Sequence, residues 1–250
     1  MNLLFVLLSC FLTHTNAQFR ISNGEDINVE SSTHSVAIFI DDTYNCVGSI
    51  VNMNSVVTVA HCTIMAEWDK VLLVAGVSDL RQRNSERAQR RNVQRIHYDP
   101  GYNEQTKCMD VAVVKVNTPF QRTDSVRSIL LRSHPLVPRS SMQVSGWGSL
   151  QLNSRTTSDL LKTKSVQIAN TQQCKTAYAN VLSLNLAETI ICAGCGGADV
   201  CVGDSGAGGV RNRRLWAVLQ GGCEIYGLPD TYTDITNARV RNFITFWMDN

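Results

Sequence analysis

Three short segments carry side chains able to perform nucleophilic chemistry. Thr58-Val59-Ala60-His61-Cys62 ends an apolar run on a histidine. An imidazole titrates near neutral pH, so it can take a proton and give it back. Met109-Asp110-Val111-Ala112-Val113-Val114 sets an aspartate at the mouth of another apolar run, and Gly203-Asp204-Ser205-Gly206 sets a serine in a turn flanked by glycines. A serine hydroxyl is a weak nucleophile until a base removes its proton, and the base needs a carboxylate to fix its tautomer. Each segment alone is ambiguous: a lone histidine is usually a packed or surface residue, and Gly-Asp-Ser-Gly suits any tight turn. Taken together, His61, Asp110 and Ser205 lie 49 and 95 residues apart in one of the three chain orders that build such a triad.

The elements that must position these groups read as strands. Ser35–Ile40, Ser55–Ala60, Val71–Val74, Val111–Val116 and Trp216–Leu219 are short and rich in Val and Ile. Turn residues such as Asp41-Asp42 and Asp99-Pro100-Gly101 punctuate them, which predicts a barrel or sandwich. One helix is expected, near the end. Val240, Phe243, Ile244 and Trp247 form an i, i+3, i+4, i+7 stripe, and Asn237 is placed to cap its start. Six arginines fall between Arg81 and Arg95. They read either as a patch for an anionic partner or, the reading preferred here, as a solvated loop and strand edge.

Composition narrows the class. The 250 residues are 44% hydrophobic and 18% charged, which excludes a disordered chain. The net charge of +2 gives no argument for nucleic acid as a partner. No apolar run reaches the roughly 18–20 residues of a membrane-spanning helix. Residues 1–17 read as a signal peptide with an apolar stretch from Leu3 to Leu12 and small Ala17 at its end, so the protein is expected to be secreted. Cys10 leaves with that segment. Eight cysteines remain, an even number that favours disulfides. Cys192-x-x-Cys195 is half of a zinc knuckle, but no second pair at metal spacing accompanies it, so no metal is expected. No cofactor motif is present, and no Asn-x-Ser/Thr sequon occurs.

With these motifs in place, the chain resembles a secreted serine endopeptidase of the chymotrypsin/trypsin family from Ile21 to the C-terminal helix. Cys46-Val47-Gly48-Ser49, Ser145-Gly146-Trp147-Gly148 and Tyr232-Thr233-Asp234 add to the likeness. The resemblance implies an all-β fold of two six-stranded antiparallel β-barrels with a C-terminal α-helix and the active site between them. It makes Ser205 the nucleophile, His61 the general base and acid, and Asp110 the orienting carboxylate. The backbone N–H groups of Gly203 and Ser205 become the oxyanion hole. It further implies a monomer that acts on protein or peptide substrates, with a protein protease inhibitor as a further partner.

The resemblance also implies activation and specificity. Residues 18–20 become a short propeptide cut after Arg20, and the new Ile21 ammonium pairs with buried Asp204. The start Ile21-Ser22-Asn23-Gly24 departs from the family's usual Ile-Val-Gly-Gly. Asp199, six residues before the nucleophile, would line the base of the substrate pocket and favour Arg or Lys before the scissile bond. Gly221 and Asp230 would line the same pocket. Leu219-Gln220-Gly221 replaces the family's Ser-Trp-Gly wall, and Asp230 replaces a glycine, adding a second carboxylate that repels the first. By position, Cys46–Cys62, Cys174–Cys192 and Cys201–Cys223 carry over as disulfides. Cys108 and Cys195 are left with three outcomes: a mutual bond, free thiols, or a bond to another chain. The alternative function is a catalytically silent homologue that binds partners through the same scaffold.

Overall fold

The computed structural model describes residues 24–135, 137–149, 156–194, 203–221 and 227–250. Strand β1 (Glu25–Asp26) precedes β2 (Ser35–Ile40), β3 (Thr43–Asn52), β4 (Ser55–Thr58), β5 (Val71–Ala75), β6 (Gln89–Tyr98) and β7 (Ala112–Val116). The second half holds β8 (Leu130–Leu131), β9 (Ser141–Gly146), β10 (Lys162–Gln167), β11 (Ile190–Ala193), β12 (Gly208–Arg211), β13 (Arg214–Gly221) and β14 (Asp230–Asp234). Strands β2-β3-β4-β7-β6-β5 close into a six-stranded barrel. Strands β1-β10-β9-β12-β13-β14-β11, with β8 parallel on β13, form an eight-stranded sheet. The mostly-β, two-sheet architecture with a C-terminal helix stands as expected. Its second half, in the described residues, is the eight-stranded sheet.

Burial explains why the strands read as continuous apolar runs rather than alternating ones. On β2, Val36 and Ile38 face the barrel interior, while Ala37 and Phe39 join Val144, Trp147, Leu161 and Leu219 of the other half. A strand covered on both faces has no polar face to show. The tight hairpin between β2 and β3 turns on Asp41 and Asp42, both at positive φ (48° and 61°). Aspartate tolerates that left-handed region and matches the strand twist.

Among the described residues, two α-helices flank the sheets. α1 (Thr171–Leu182) was not foreseen. Asn170 caps it by accepting from Gln173 N at 3.0 Å, but only Cys174 is fully buried on it, so no apolar stripe announces it. α2 (Ala238–Asp249) is the expected helix, and Asn237 Oδ1 accepts from Arg239 N at 3.0 Å. Val240 and Ile244 are buried in the core of the first barrel. The Met248 carbonyl accepts from Asn52 Nδ2 (2.7 Å) and Lys115 Nζ (3.1 Å), so α2 plugs the first barrel.

The arginine-rich segment is a largely solvated loop and strand, as preferred from the sequence, with a few side chains anchored. Arg81 pairs with Asp79, Arg83 lies over the Phe39 ring, and Arg91 lies over Phe120 and donates to the Pro119 carbonyl. Arg87, Arg90 and Arg95 are exposed.

Candidate active site

Strand pairing brings His61 and Asp110 together. β4 and β7 are antiparallel neighbours with Thr58 opposite Ala112, so the end of one meets the start of the other. His61 sits in the 3-10 turn Ala60–Cys62 just past β4, and Asp110 lies two residues before β7. The Cys46–Cys62 disulfide ties the histidine turn to β3. Such a bond stabilises by about 2–4 kcal/mol.

The His61–Asp110 pair is fully engaged. Asp110 is completely buried; one carboxylate oxygen accepts from His61 N at 3.0 Å, and the other lies 2.8 Å from His61 Nδ1. A carboxylate can only accept, so Nδ1 carries a proton toward Asp110 and, in the neutral ring, Nε2 is the nitrogen left to accept. The Asp110 main chain is held from the second half. Its carbonyl accepts from Thr233 Oγ1 at 2.6 Å, and Thr233 Oγ1 in turn accepts from Gln220 Nε2 at 2.9 Å. Gln220 Nε2 also donates to the Lys107 carbonyl at 3.0 Å. Gln220 occupies the bulge where β13 shifts register between Leu219 and Gly221, which turns its side chain inward. Thr233 and, through it, Gln220 thus steady the Asp110 main chain, while Leu219 stands at the first position of the family's Ser-Trp-Gly wall. Nearby, burial and then the Asp110 and Glu104 charges push the Tyr102 phenol up to about 12.

Ser205 reaches the same place from the other side. Its carbonyl accepts from Val47 N at 2.8 Å, and Gly206 N donates to Leu219 O at 2.8 Å. Gly206 has φ +85°, and a Cβ there would overlap Val47 O and Thr58 Oγ1. Only glycine lets this turn press against β3 and β4, three residues from His61. Ser205 Oγ donates to the Gln220 carbonyl at 3.2 Å; it makes no hydrogen bond to the His61 ring among the described contacts. Neither Gly203 N–H nor Ser205 N–H has an acceptor among the described residues. An amide N–H with no protein acceptor is able to donate to a bound anion.

Asp204 is buried, and one of its oxygens accepts from Gly148 N at 2.8 Å. A Cβ on Gly146 or Gly148 would strike this carboxylate, which explains both glycines of Ser145-Gly146-Trp147-Gly148. Gly221 ends β13 with no described residue within 4 Å of where its Cβ would be, and Asp230 is buried opposite Ala193 on β11. Arg20, Ile21, Asp199, Cys195, Cys201 and Cys223 lie outside the described residues. The Cys46–Cys62 and Cys174–Cys192 bonds are formed, and Cys108 is a free thiol. Thr233 and Tyr44 were not singled out from sequence. Thr233 stood within a quoted motif without a role, and nothing in the spacing marks Tyr44.

Comparison with known proteins agrees with this geometry. Residues 21–244 match the sequence profile of the trypsin family, and the chain belongs to that family. It is 28% identical over 222 residues to Trypsin delta of Drosophila melanogaster, covering 88% of this chain and 86% of the relative. It is 26% identical over 248 residues to Hypodermin-A of Hypoderma lineatum, covering 94% and 95%. Among solved structures, a scabies mite inactivated protease paralogue superposes with a TM-score of 0.80 at 21% identity, over 90% of this chain and 97% of its own. Neuropsin, a serine protease expressed in the limbic system of mouse brain, superposes with a TM-score of 0.79 at 24% identity, over 91% and 99%. Among the described residues no helix is long and apolar enough to cross a membrane.

Proposed function

We propose that this protein is a secreted serine endopeptidase that cuts after Arg or Lys and is made as a zymogen. The observation that carries the reading is the partly exposed His61 held by buried Asp110, beside a serine whose own amide and that of Gly203 have no acceptor among the described residues. A rotation of the Ser205 side chain moves Oγ from the Gln220 carbonyl to His61 Nε2. Oγ then attacks the scissile carbonyl, its proton passes to Nε2, and the carbonyl oxygen becomes an oxyanion between the N–H groups of Gly203 and Ser205. Collapse expels the amine, which takes the proton from Nε2 and leaves an acyl-Ser205. Water, deprotonated by the same nitrogen, releases the acid.

Activation and specificity belong to this proposal. Residues 1–17 act as the signal peptide and 18–20 as the propeptide, and the Ile21 ammonium freed after Arg20 pairs with Asp204. Asp199 and Asp230 give the pocket beside Gly221 its preference for a cationic side chain. The test is labelling with a fluorophosphonate after cleavage at Arg20, followed by a peptide-library profile. Labelled protein with cuts after Arg and Lys, and loss of that preference in Asp199→Ser, is the expected result. Folded protein that stays unlabelled refutes the enzyme reading, and cuts after aromatic or small residues refute the specificity.

A second reading is a catalytically silent homologue. Two observations favour it: Ser205 Oγ bonds to Gln220 rather than His61, and one structural neighbour is an inactivated protease paralogue. The same labelling separates the two.

A further inference from the structure

Tyr44 touches the nucleophile turn from across the molecule. It lies on β3, two residues before Cys46, and its hydroxyl donates to the Gly203 carbonyl at 2.7 Å, over a sequence separation of 159. Edge-on contacts fix its ring between Phe39 (centroids 5.8 Å apart) and Trp147 (6.4 Å). The ring also lies directly on Gly203, because a Cβ there would come 3.1 Å from Tyr44 Cε1.

Gly203 needs such a restraint. Its φ is +90°, and glycine is the residue with the most backbone freedom to lose. Nothing in its own side chain fixes which way its N–H points, and that N–H has no acceptor among the described residues. Beyond the bonds of Ser205 to Val47 and of Gly206 to Leu219, two contacts fix the front of the turn from outside. Asp204 anchors one side through Gly148 N, and Tyr44 anchors the Gly203 carbonyl. Burial and the Asp204 charge hold the phenol well above its ordinary range, so its proton stays in place to be donated.

We propose that Tyr44 is a positioning residue for the oxyanion hole: its hydroxyl, by holding the Gly203 carbonyl, keeps the Gly203 N–H turned toward the cleft. This rests on the reading of Gly203 as an oxyanion donor. A Tyr44→Phe variant keeps the ring contacts and removes the one hydroxyl, so the fold is preserved.

The experiment compares wild type and Tyr44→Phe, both cleaved after Arg20. The expected result is a kcat lower by about tenfold or more with KM within about twofold, as for loss of an interaction made only in the transition state. Affinity for a peptide aldehyde, whose adduct carries the tetrahedral oxygen, falls by the same factor. Binding of a peptide substrate to the Ser205→Ala protein is unchanged by adding Tyr44→Phe. Unchanged kcat and aldehyde affinity overturn the proposal. So does a parallel loss of substrate and aldehyde binding, because that reports a general collapse of the cleft. If wild type itself proves silent, crystal structures of the two proteins decide. A Gly203 carbonyl that swings away in Tyr44→Phe supports the proposal, and one that stays in place overturns it.

Discussion

The two halves of the molecule contribute to the cleft in different states. The closed first barrel delivers a finished pair: Asp110 is sealed from solvent and bonded twice to His61. The second sheet delivers an open turn, in which the Gly203 and Ser205 amides have no acceptor among the described residues and the Ser205 hydroxyl donates to the Gln220 carbonyl. Yet each half steadies what the other supplies. Thr233 and Gln220 of the second half hold the Asp110 and Lys107 carbonyls, while Val47 and Tyr44 of the first hold the Ser205 and Gly203 carbonyls. The difference teaches that satisfaction and poise are separate tasks. His61 is held by bonds already made, and the Ser205 turn is held from across the molecule while its amides keep no acceptor among the described residues.

Mutations can test that contrast, and the largest effect belongs to the open side. Ser205→Ala should abolish peptide hydrolysis by ~10⁶-fold while leaving the melting temperature unchanged, measured by steady-state kinetics and calorimetry. A large drop in melting temperature would mean that the hydroxyl serves packing instead. Next comes the seam between the halves. Gly206→Ala should cost about 2–4 kcal/mol, from left-handed strain plus the clash with Val47 and Thr58. Gly221→Ala should cost little, since its Cβ meets no described residue within 4 Å. Equal urea midpoints for the two variants would show that the turn is not pressed on the first barrel.

His34 gives a pH-dependent version of the test. It is buried beside Gly208 of the second half, and burial lowers its pKa to about 4. In the unfolded chain an imidazole titrates near 6.5, so the unfolded state takes the proton first as pH falls. The contribution is fully present above about pH 6.5 and is lost toward pH 4, by about 3 kcal/mol. His34→Gln should flatten that slope in urea titrations at stepped pH, and identical slopes would reject the assignment. The smallest effect lies on the finished side. Thr233→Val should lower kcat by about tenfold or less, an effect worth about 1 kcal/mol, with Thr233→Ser restoring it. Loss beyond that of Ser205→Ala would invert the contrast drawn above.

Much of this was legible in the chain, for reasons particular residues make plain. Ser35–Ile40 was read to the residue because Val36 and Ile38 on one face and Ala37 and Phe39 on the other leave no polar gap. The α2 stripe and its Asn237 cap were equally clear, because helix period and cap chemistry are local. His61, Asp110 and Ser205 were found by type and order. The supports around them were not. Tyr44 meets Gly203 across the whole fold, and the bulge that turns Gln220 inward depends on register, which no local pattern encodes. α1 escaped because Cys174 alone is buried on it, and β6 because polar and charged residues dominate it, Arg91 alone of its arginines lying over a ring.

The plug formed by α2 has a consequence for how the protein is made. Strands β2 to β7 leave the ribosome long before Val240 and Ile244, the residues that seal their barrel. Synthesis therefore yields a nearly complete barrel with one end uncapped, and its greasy interior must wait for more than a hundred further residues. Neither half is a stand-alone module. A nascent chain halted before α2 should be a chaperone client, and a cut that removes the helix should disable the half that lies farthest from it in sequence.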